Sequence, residues 1–196
     1  MSDLLLKHIH QHTDLTADDA GLVLSNFKTS HIKKHEYLIR AGEICRYESF
    51  IVKGCLKAYT LDEQGTEHIA FLAVENWYVG DLYSFLTGHP STLYISALED
   101  TEVLQIDKHA LDKLLIAVPT MERYFRILFQ NAFVASQSRV MEAISFTAEQ
   151  RYDIFLQRYP TLQQRIPQYL IASYLGITPQ FLSRIRRKRL YKQGNL

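Results

Sequence analysis

Between Gln168 and Lys188 the chain carries residue types that suit contact with a polyanion. Gln180, Ser183, Arg184 and Arg187 recur at three- and four-residue intervals, so they share one helical face, opposite Leu182 and Ile185. A guanidinium can pair bidentately with guanine and a carboxamide with adenine. Arg186, Lys188 and Arg189 follow at the end of that segment, where cations meet phosphates more readily than bases. The elements that must hold these groups are legible in the same stretch. Counting Gln168 as first, Ile171 is fourth, Ala172 fifth, Leu175 eighth, Gly176 ninth, Ile177 tenth, Leu182 fifteenth and Ile185 eighteenth. This is a helix-turn-helix pattern. Ala172 must be small where the second helix crosses the first, and Gly176 supplies a left-handed turn that a Cβ makes costly. Thr178 suits an N-cap, with Pro179 at the first helical position. The candidate DNA contacts are Thr178, Gln180, Phe181, Ser183, Arg184, Arg187 and Lys188. The plain alternative is a helical hairpin with solvated basic ends.

The charge distribution agrees with a polyanion partner for that end. Residues 165–196 carry seven basic side chains and no acidic one, a local charge of +7, which leaves −6 on the first 164 residues. The composition, 47% hydrophobic and 22% charged with 13 Gly and Pro among 196 residues, is that of a folding chain. No apolar run approaches the ~20 residues that span a bilayer. Met1–His8 lacks the basic and apolar regions of a secretion signal. A cytoplasmic protein without membrane contact is expected.

Upstream, residues 1–28 read as helical, with Leu4, Leu5 and Ile9 on one edge. Thr16 can cap a second helix that buries Leu22, Val23 and Phe27. From His31 to Asp107, short runs rich in Ile, Val, Tyr and Phe alternate with turn signals, which predicts an antiparallel sandwich or barrel. Helical periodicity returns at Ala110–Leu115 and, after Pro119, continues to about Ser145 without Gly or Pro. At ~1.5 Å per residue that longer helix is a rod of about 40 Å. Met121, Phe125, Leu128, Ala132 and Ala135 form a stripe along it that suits pairing with a second copy of the chain. Thr147-x-x-Gln150 is a capping-box signature that opens a further helix. The expected fold is α+β: an N-terminal antiparallel jelly roll with flanking helices (1–118), a long dimerisation helix (119–146) and an all-α helix-turn-helix domain (147–196).

The order of these elements resembles the Crp–Fnr family of bacterial transcription regulators across roughly residues 10–190. Three segments carry the resemblance: Arg40-Ala41-Gly42-Glu43 followed by Phe50-Ile51-Val52-Lys53-Gly54, then Gly80-Asp81-Leu82-Tyr83-Ser84-Phe85, and the helix-turn-helix. The Gly80–Phe85 segment is similar to the family's phosphate cassette. The resemblance implies a cyclic-nucleotide-binding-type jelly roll, a homodimer, a winged-helix domain on double-stranded DNA, and RNA polymerase as a further partner. It implies an effector pocket at Gly80, Asp81, Leu82, Tyr83, Ser91 and Thr92. Two departures stand out. Ser91 occupies the place of the Arg that pairs with the cyclic phosphate, and Asp81 replaces a Glu. The stretch Leu190–Leu196 is short for the family's wing, a β-hairpin after the recognition helix. Pro179 also stands where many members carry Arg.

A cyclic phosphate is a permanent anion, and a pocket without its cation loses ~3–5 kcal/mol of pairing. No Lys or Arg lies between Lys57 and Lys108. An unidentified effector other than cyclic AMP is therefore expected, with Trp77, Tyr83 and Tyr94 available to fill the pocket instead. The alternative function is a ligand-sensing module that acts without specific DNA binding. Other signals point nowhere sharper. His8, His10 and His12 suit a solvated helix face, and no third ligand joins them to make a metal site. Cys45 and Cys55 are too few for the four-cysteine iron–sulfur arrangement of some family members, and both suit buried strand positions. His68 stands alone on its strand, which leaves no metal-binding cupin site, and no catalytic residues or cofactor are expected.

Overall fold

The computed structural model of the chain describes residues 2–193. Two short helices open it, α1 (Ser2–His10) and α2 (Ala17–Ser25). Thr16 caps α2, its Oγ1 accepting the Asp19 N–H at 3.1 Å. Val23 is fully buried, but Leu22 is 41% exposed, contrary to the expectation that both face the core. Successive residues diverge by about 100° on a helix, so a nine-residue helix buries only one of them deeply. Phe27 is buried just beyond the helix end.

Eight strands follow: β1 (Lys28–Ile32), β2 (Tyr37–Ile39), β3 (Tyr47–Lys53), β4 (Cys55–Leu61), β5 (Glu67–Val74), β6 (Tyr78–Val79), β7 (Tyr94–Ala97) and β8 (Thr101–Asp107). They form two four-stranded sheets in the orders β1-β8-β3-β6 and β2-β7-β4-β5. The pairing is antiparallel, as the turn-punctuated sequence predicts. β1 does not announce itself in the sequence. It is an edge strand of Lys, Thr, Ser and His that buries only Ile32, so it lacks the apolar alternation of a half-buried strand. The helix α3 (Leu82–Thr87) lies between β6 and β7, and α4 (Lys108–Ala117) follows β8.

The core draws on both sheets and on the helices around them. Phe50, Ile51, Leu56, Ile95 and Ile106 are fully buried together with Leu5 and Ile9 of α1. The long helix α5 spans Thr120–Ser145, and its first turns complete this core. Met121 and Phe125, expected at a dimer interface, are 0% and 2% exposed within the chain's own core. Helical spacing alone does not distinguish a stripe that packs at home from one that packs on a partner. His8 also departs from expectation. It is half-buried, its Nδ1 lies 2.8 Å from the Tyr124 hydroxyl, and its ring contacts Phe50 and Tyr78. Burial, with His12 beside it, lowers its pKa.

The chain divides into two compact units. One comprises residues 1–60 and 71–133, the other 61–70 and 134–196. The latter contains the rest of α5 and α6 (Ala148–Arg158), α7 (Leu162–Arg165), α8 (Gln168–Leu175) and α9 (Pro179–Gln193). The Thr147 capping box forms as its sequence dictates, with Thr147 N–H to Gln150 Oε1 at 2.9 Å and Gln150 N–H to Thr147 Oγ1 at 3.3 Å. Rings of Tyr152, Phe155, Tyr159 and Tyr174 pack the middle of this unit. Arg158 bonds Glu142 at 2.8 Å and the Tyr174 hydroxyl at 3.1 Å, while Arg139 lies 4.0 Å above the Tyr174 ring. The β4–β5 turn also belongs here. Ser173 of α8 donates to the Glu67 carbonyl at 2.8 Å and accepts from the Ile69 N–H at 3.3 Å. Where the resemblance implies a wing, the chain stays helical through Gln193, and 194–196 lie outside the described residues. Among the described residues, no helix is long and apolar enough to cross a membrane.

Gly54 connects β3 to β4 with a φ of +111°, and a Cβ there would lie 2.7 Å from the Thr101 Cα. Gly54→Ala therefore combines a strained backbone with overpacking and should cost at least about 2 kcal/mol. Urea unfolding of the full chain should show this as a lower midpoint. An unchanged midpoint would mean that β8 yields freely at Thr101.

Candidate functional site

The helix-turn-helix forms at the residues that encode it. Gly176 ends α8 with a φ of +66°, and its N–H and that of Ile177 return to the Ser173 and Ala172 carbonyls. Ala172 is 0% exposed where the helices approach, and Leu182 and Ile185 of α9 bury against α8 with Ile171 and Leu175. Burying each of these aliphatic side chains contributes ~1.5–3 kcal/mol. Thr178 caps α9, accepting the Phe181 N–H at 3.2 Å.

This packing turns the polar face of α9 outward. Thr178, Gln180, Ser183, Arg184, Arg187 and Lys188 are exposed. Phe181 is half-buried, and the Arg184 guanidinium lies 5.1 Å from its ring centroid. That contact stiffens a long side chain at modest cost to its reach. Lys188 and Arg189 are tied to α6: Lys188 Nζ lies 3.6 Å from Glu149 Oε1, and Arg189 pairs with Asp153. Arg184 and Arg187 thus present donors in the middle of the helix, while the two cations that follow are partly neutralised.

In the jelly-roll unit the expected effector residues are brought together, with Asp81 and Ser91 bonded to each other. Asp81 caps α3, its Oδ1 accepting the Ser84 N–H at 3.3 Å, and its Oδ2 accepts the Ser91 hydroxyl at 2.7 Å. Both residues are buried. Ser84 in turn bonds the His89 carbonyl at 2.6 Å and the Cys45 N–H at 2.9 Å, and the Ser91 backbone pairs with Gly42 and Glu43. Leu82 is half-buried, and Thr92 and Tyr83 face solvent, Tyr83 at 63% exposure and stacked on His89. Of the aromatic residues expected to fill the pocket, Tyr83 and Trp77 are exposed. Trp77 is 38% exposed, and Tyr94 stacks on Tyr59.

Glu48 of β3 stands behind this cassette and is 5% exposed. A Cβ on Gly80 would lie 3.3 Å from both of its carboxylate oxygens, so any side chain there would press on Glu48. Burial, reinforced by the neighbouring Asp81, pushes the Glu48 carboxyl up to about 7. An anion placed against Gly80 and Asp81 would meet the carboxyl groups of Glu48 and Asp81. A cavity of about 530 Å³ is lined by Ile39, Cys45, Arg46, Ser49, Ile95 and Gln105 among others. Of the six expected effector residues, Gly80 alone lines it. Burial pushes the Cys45 thiol up to about 11, which keeps it protonated. The sequence offered a faint signal for Glu48, a carboxylate before the apolar run Phe50–Val52. Nothing local pointed to Ser49 with Gln105, which meet only through strand pairing.

On α5 the exposed apolar residues are Phe133, Val134, Val140, Met141 and Ile144, at 69, 57, 56, 54 and 73% exposure. Phe133, Val140 and Ile144 fall at seven- and four-residue intervals on one face. Ala132 and Ala135 are exposed, and Leu128 is half-buried against the core.

Residues 29–117 match the family model for a cyclic nucleotide-binding domain. The chain is 29% identical over 167 residues to the fumarate and nitrate reduction regulatory protein of Vibrio cholerae, covering 79% of this chain and 65% of that protein. It is 25% identical over 167 residues to electron transport regulator A of Shewanella oneidensis, again covering 79% and 65%. The chain thus spans just under two thirds of the length of these curated relatives. The solved structure of FixK2 from Bradyrhizobium japonicum superposes with a TM-score of 0.73 at 19% identity, covering 86% of each chain.

The Glu48 environment generates a pH dependence. Its folded pKa of about 7 exceeds the ordinary 4.5, so between those values the folded state holds a proton that the unfolded state releases. Stability from this site is present below pH ~4.5 and falls as pH rises to ~7, by roughly 3 kcal/mol. Glu48→Gln should remove that slope, measured as the difference between wild-type and variant urea midpoints at pH 5 and 8. Parallel pH profiles would contradict the assignment.

Proposed function

We propose that the chain is a cytoplasmic transcription regulator of the Crp–Fnr family that binds a near-palindromic DNA site as a homodimer. The observation that carries the reading is the arrangement of α9, which displays Gln180, Ser183, Arg184 and Arg187 on a rigid two-helix frame. A carboxamide and two guanidiniums on one helical face match the donor and acceptor code of the major groove. Lys188 and Thr178 suit flanking phosphates. A sensing module without specific DNA binding has no use for such a face.

Dimerisation follows from the exposed seam of α5. Phe133, Val140, Met141 and Ile144 are too apolar to leave in water along one helix, and a second copy of the same helix covers them with twofold symmetry. Two recognition helices would then read half-sites about 34 Å apart. RNA polymerase is the further partner when the site adjoins a promoter. A small effector in the jelly-roll unit biases the equilibrium between DNA-binding states. Cyclic AMP does not suit that role, because Ser91 and Asp81 bond each other where the nucleotide would need them and Glu48 adds a second acidic group.

Selection from random duplexes should enrich a near-palindrome. On that site Arg184→Ala should cost ~1–3 kcal/mol and relax one base position, whereas Lys188→Ala should weaken all sequences and lower the salt slope by at most about one. Equal loss of affinity for selected and random DNA with Arg184→Ala would make Arg184 a phosphate contact.

The seam is tested separately. Phe133→Glu and Ile144→Glu should sediment as monomers and lose site affinity, while the wild type sediments as a dimer. A monomeric wild type with full affinity would remove the dimer from the reading.

A further inference from the structure

The cavity between β2, β3, β7 and the loop 40–46 meets the cassette that the family resemblance marks at Gly80. Its apolar wall comes from Leu38, Ile39, Ile44 and Ile95. Its polar floor is a cross-strand pair. Ser49 and Gln105 face each other in the β3–β8 register, and Gln105 Nε2 donates to Ser49 Oγ at 3.1 Å. Ser49 is 0% exposed. With its oxygen accepting from Gln105, its hydroxyl proton remains to be donated, and the Gln105 carbonyl oxygen remains to accept. No other hydrogen bond to either group is made among the described residues. Ser49 is buried and Gln105 half-buried, so a donor and an acceptor stand side by side at the cavity floor, available to a ligand that matches both.

The charges around the cavity decide the class of molecule that satisfies them. Arg46 and Glu43 lie at its rim, one of each sign, and the Glu43 carboxylate accepts the Arg40 N–H at 2.9 Å. Behind Gly80, which lines the cavity, stand the carboxyl groups of Glu48 and Asp81. The charges at the rim offset each other, and the carboxyl groups behind Gly80 disfavour an anion in the interior. At about 530 Å³ it is within the size range of small-molecule sites.

We infer that this cavity binds an uncharged organic molecule with an apolar body and one head group that both donates and accepts a hydrogen bond, of the primary-amide type, read by Ser49 and Gln105. The inference deepens the effector reading of the jelly-roll unit and rests on it for its regulatory meaning, but binding itself is independent of DNA. The head group bonds the Ser49 hydroxyl through its carbonyl and the Gln105 carbonyl through its N–H. The body lies against Ile39, Ile44 and Ile95.

The test uses the full chain and an isosteric pair of probes, hexanamide and hexanoate, followed by amide NMR titration. Hexanamide should give saturable shifts confined to residues 38–49, 80, 95 and 105. Hexanoate should bind at least about tenfold more weakly, which corresponds to 1.4 kcal/mol. Gln105→Leu and the milder Ser49→Ala should each weaken hexanamide about five- to tenfold, as expected for one lost hydrogen bond. Ile95→Trp, which fills the space, should abolish its binding. Thermal unfolding of each variant separates these effects from loss of fold. The inference is overturned if hexanamide shows no saturable binding at about 10 mM, if hexanoate binds equally well, or if the shifts fall outside the cavity. Cyclic AMP binding that shifts Asp81 and Ser91 would overturn the effector reading itself, and loss of DNA binding alone would leave the cavity result standing.

Discussion

Strand β3 is buried on both faces from Glu48 to Ile51, and that constraint orders the jelly-roll unit. A strand alternates its side chains, so neighbours in sequence become residents of opposite environments. Phe50 turns towards the ring cluster of His8, Tyr78 and Tyr124, with Glu48 on the same side near Tyr78 and Gly80. Ser49 turns into the cavity beside Gln105. The β3–β8 register fixes both sets at once, and a slip of one residue would exchange them.

The cost of this arrangement is a carboxyl group held in a place that disfavours its charge. Glu48 is tolerated because it can stay protonated near neutral pH and because Gly80 leaves room for it. Its neighbour Asp81 has better partners, the Ser84 N–H and the Ser91 hydroxyl. Within the cassette, Asp81 thus bonds the chain's own groups. A phosphate there would have to displace a buried hydrogen bond and face two acidic groups, which is the physical content of the missing Arg.

In the other unit the same economy of space works with helices. Ala172 permits close approach, Gly176 permits the turn, and the apolar residues of α8 and α9 then leave only one face of α9 for solvent. That face carries the cations. Glu149 and Asp153 of α6 take up Lys188 and Arg189, which leaves the positive charge at Arg184, Arg186 and Arg187 without an ion pair among the described residues. Arg139 and Arg158 join the end of α5 to Tyr174 of α8, which is why the last turns of α5 belong with the helix-turn-helix unit.

The amino-acid sequence by itself determined everything whose signal is local. The helix-turn-helix is encoded within about twenty consecutive residues, each with a short-range reason, and Thr16, Thr147 and Thr178 cap the helices they precede. Strand-rich and helix-rich stretches were separable because their periods differ. Tertiary structure alone decided what depends on partners distant in the chain. Met121 and Phe125 became core because the rest of their own unit covers them, while Phe133 and Ile144, on the same helix, were left bare. His8 became half-buried through Tyr124, 116 residues away. Ser49 met Gln105 only because strand pairing brought them together, and Asp81 met Ser91 across the α3 turn, ten residues on. Periodicity reports that a face is apolar or polar; which neighbour then covers that face, and so whether it is core, interface or site, is set by the path of the whole chain.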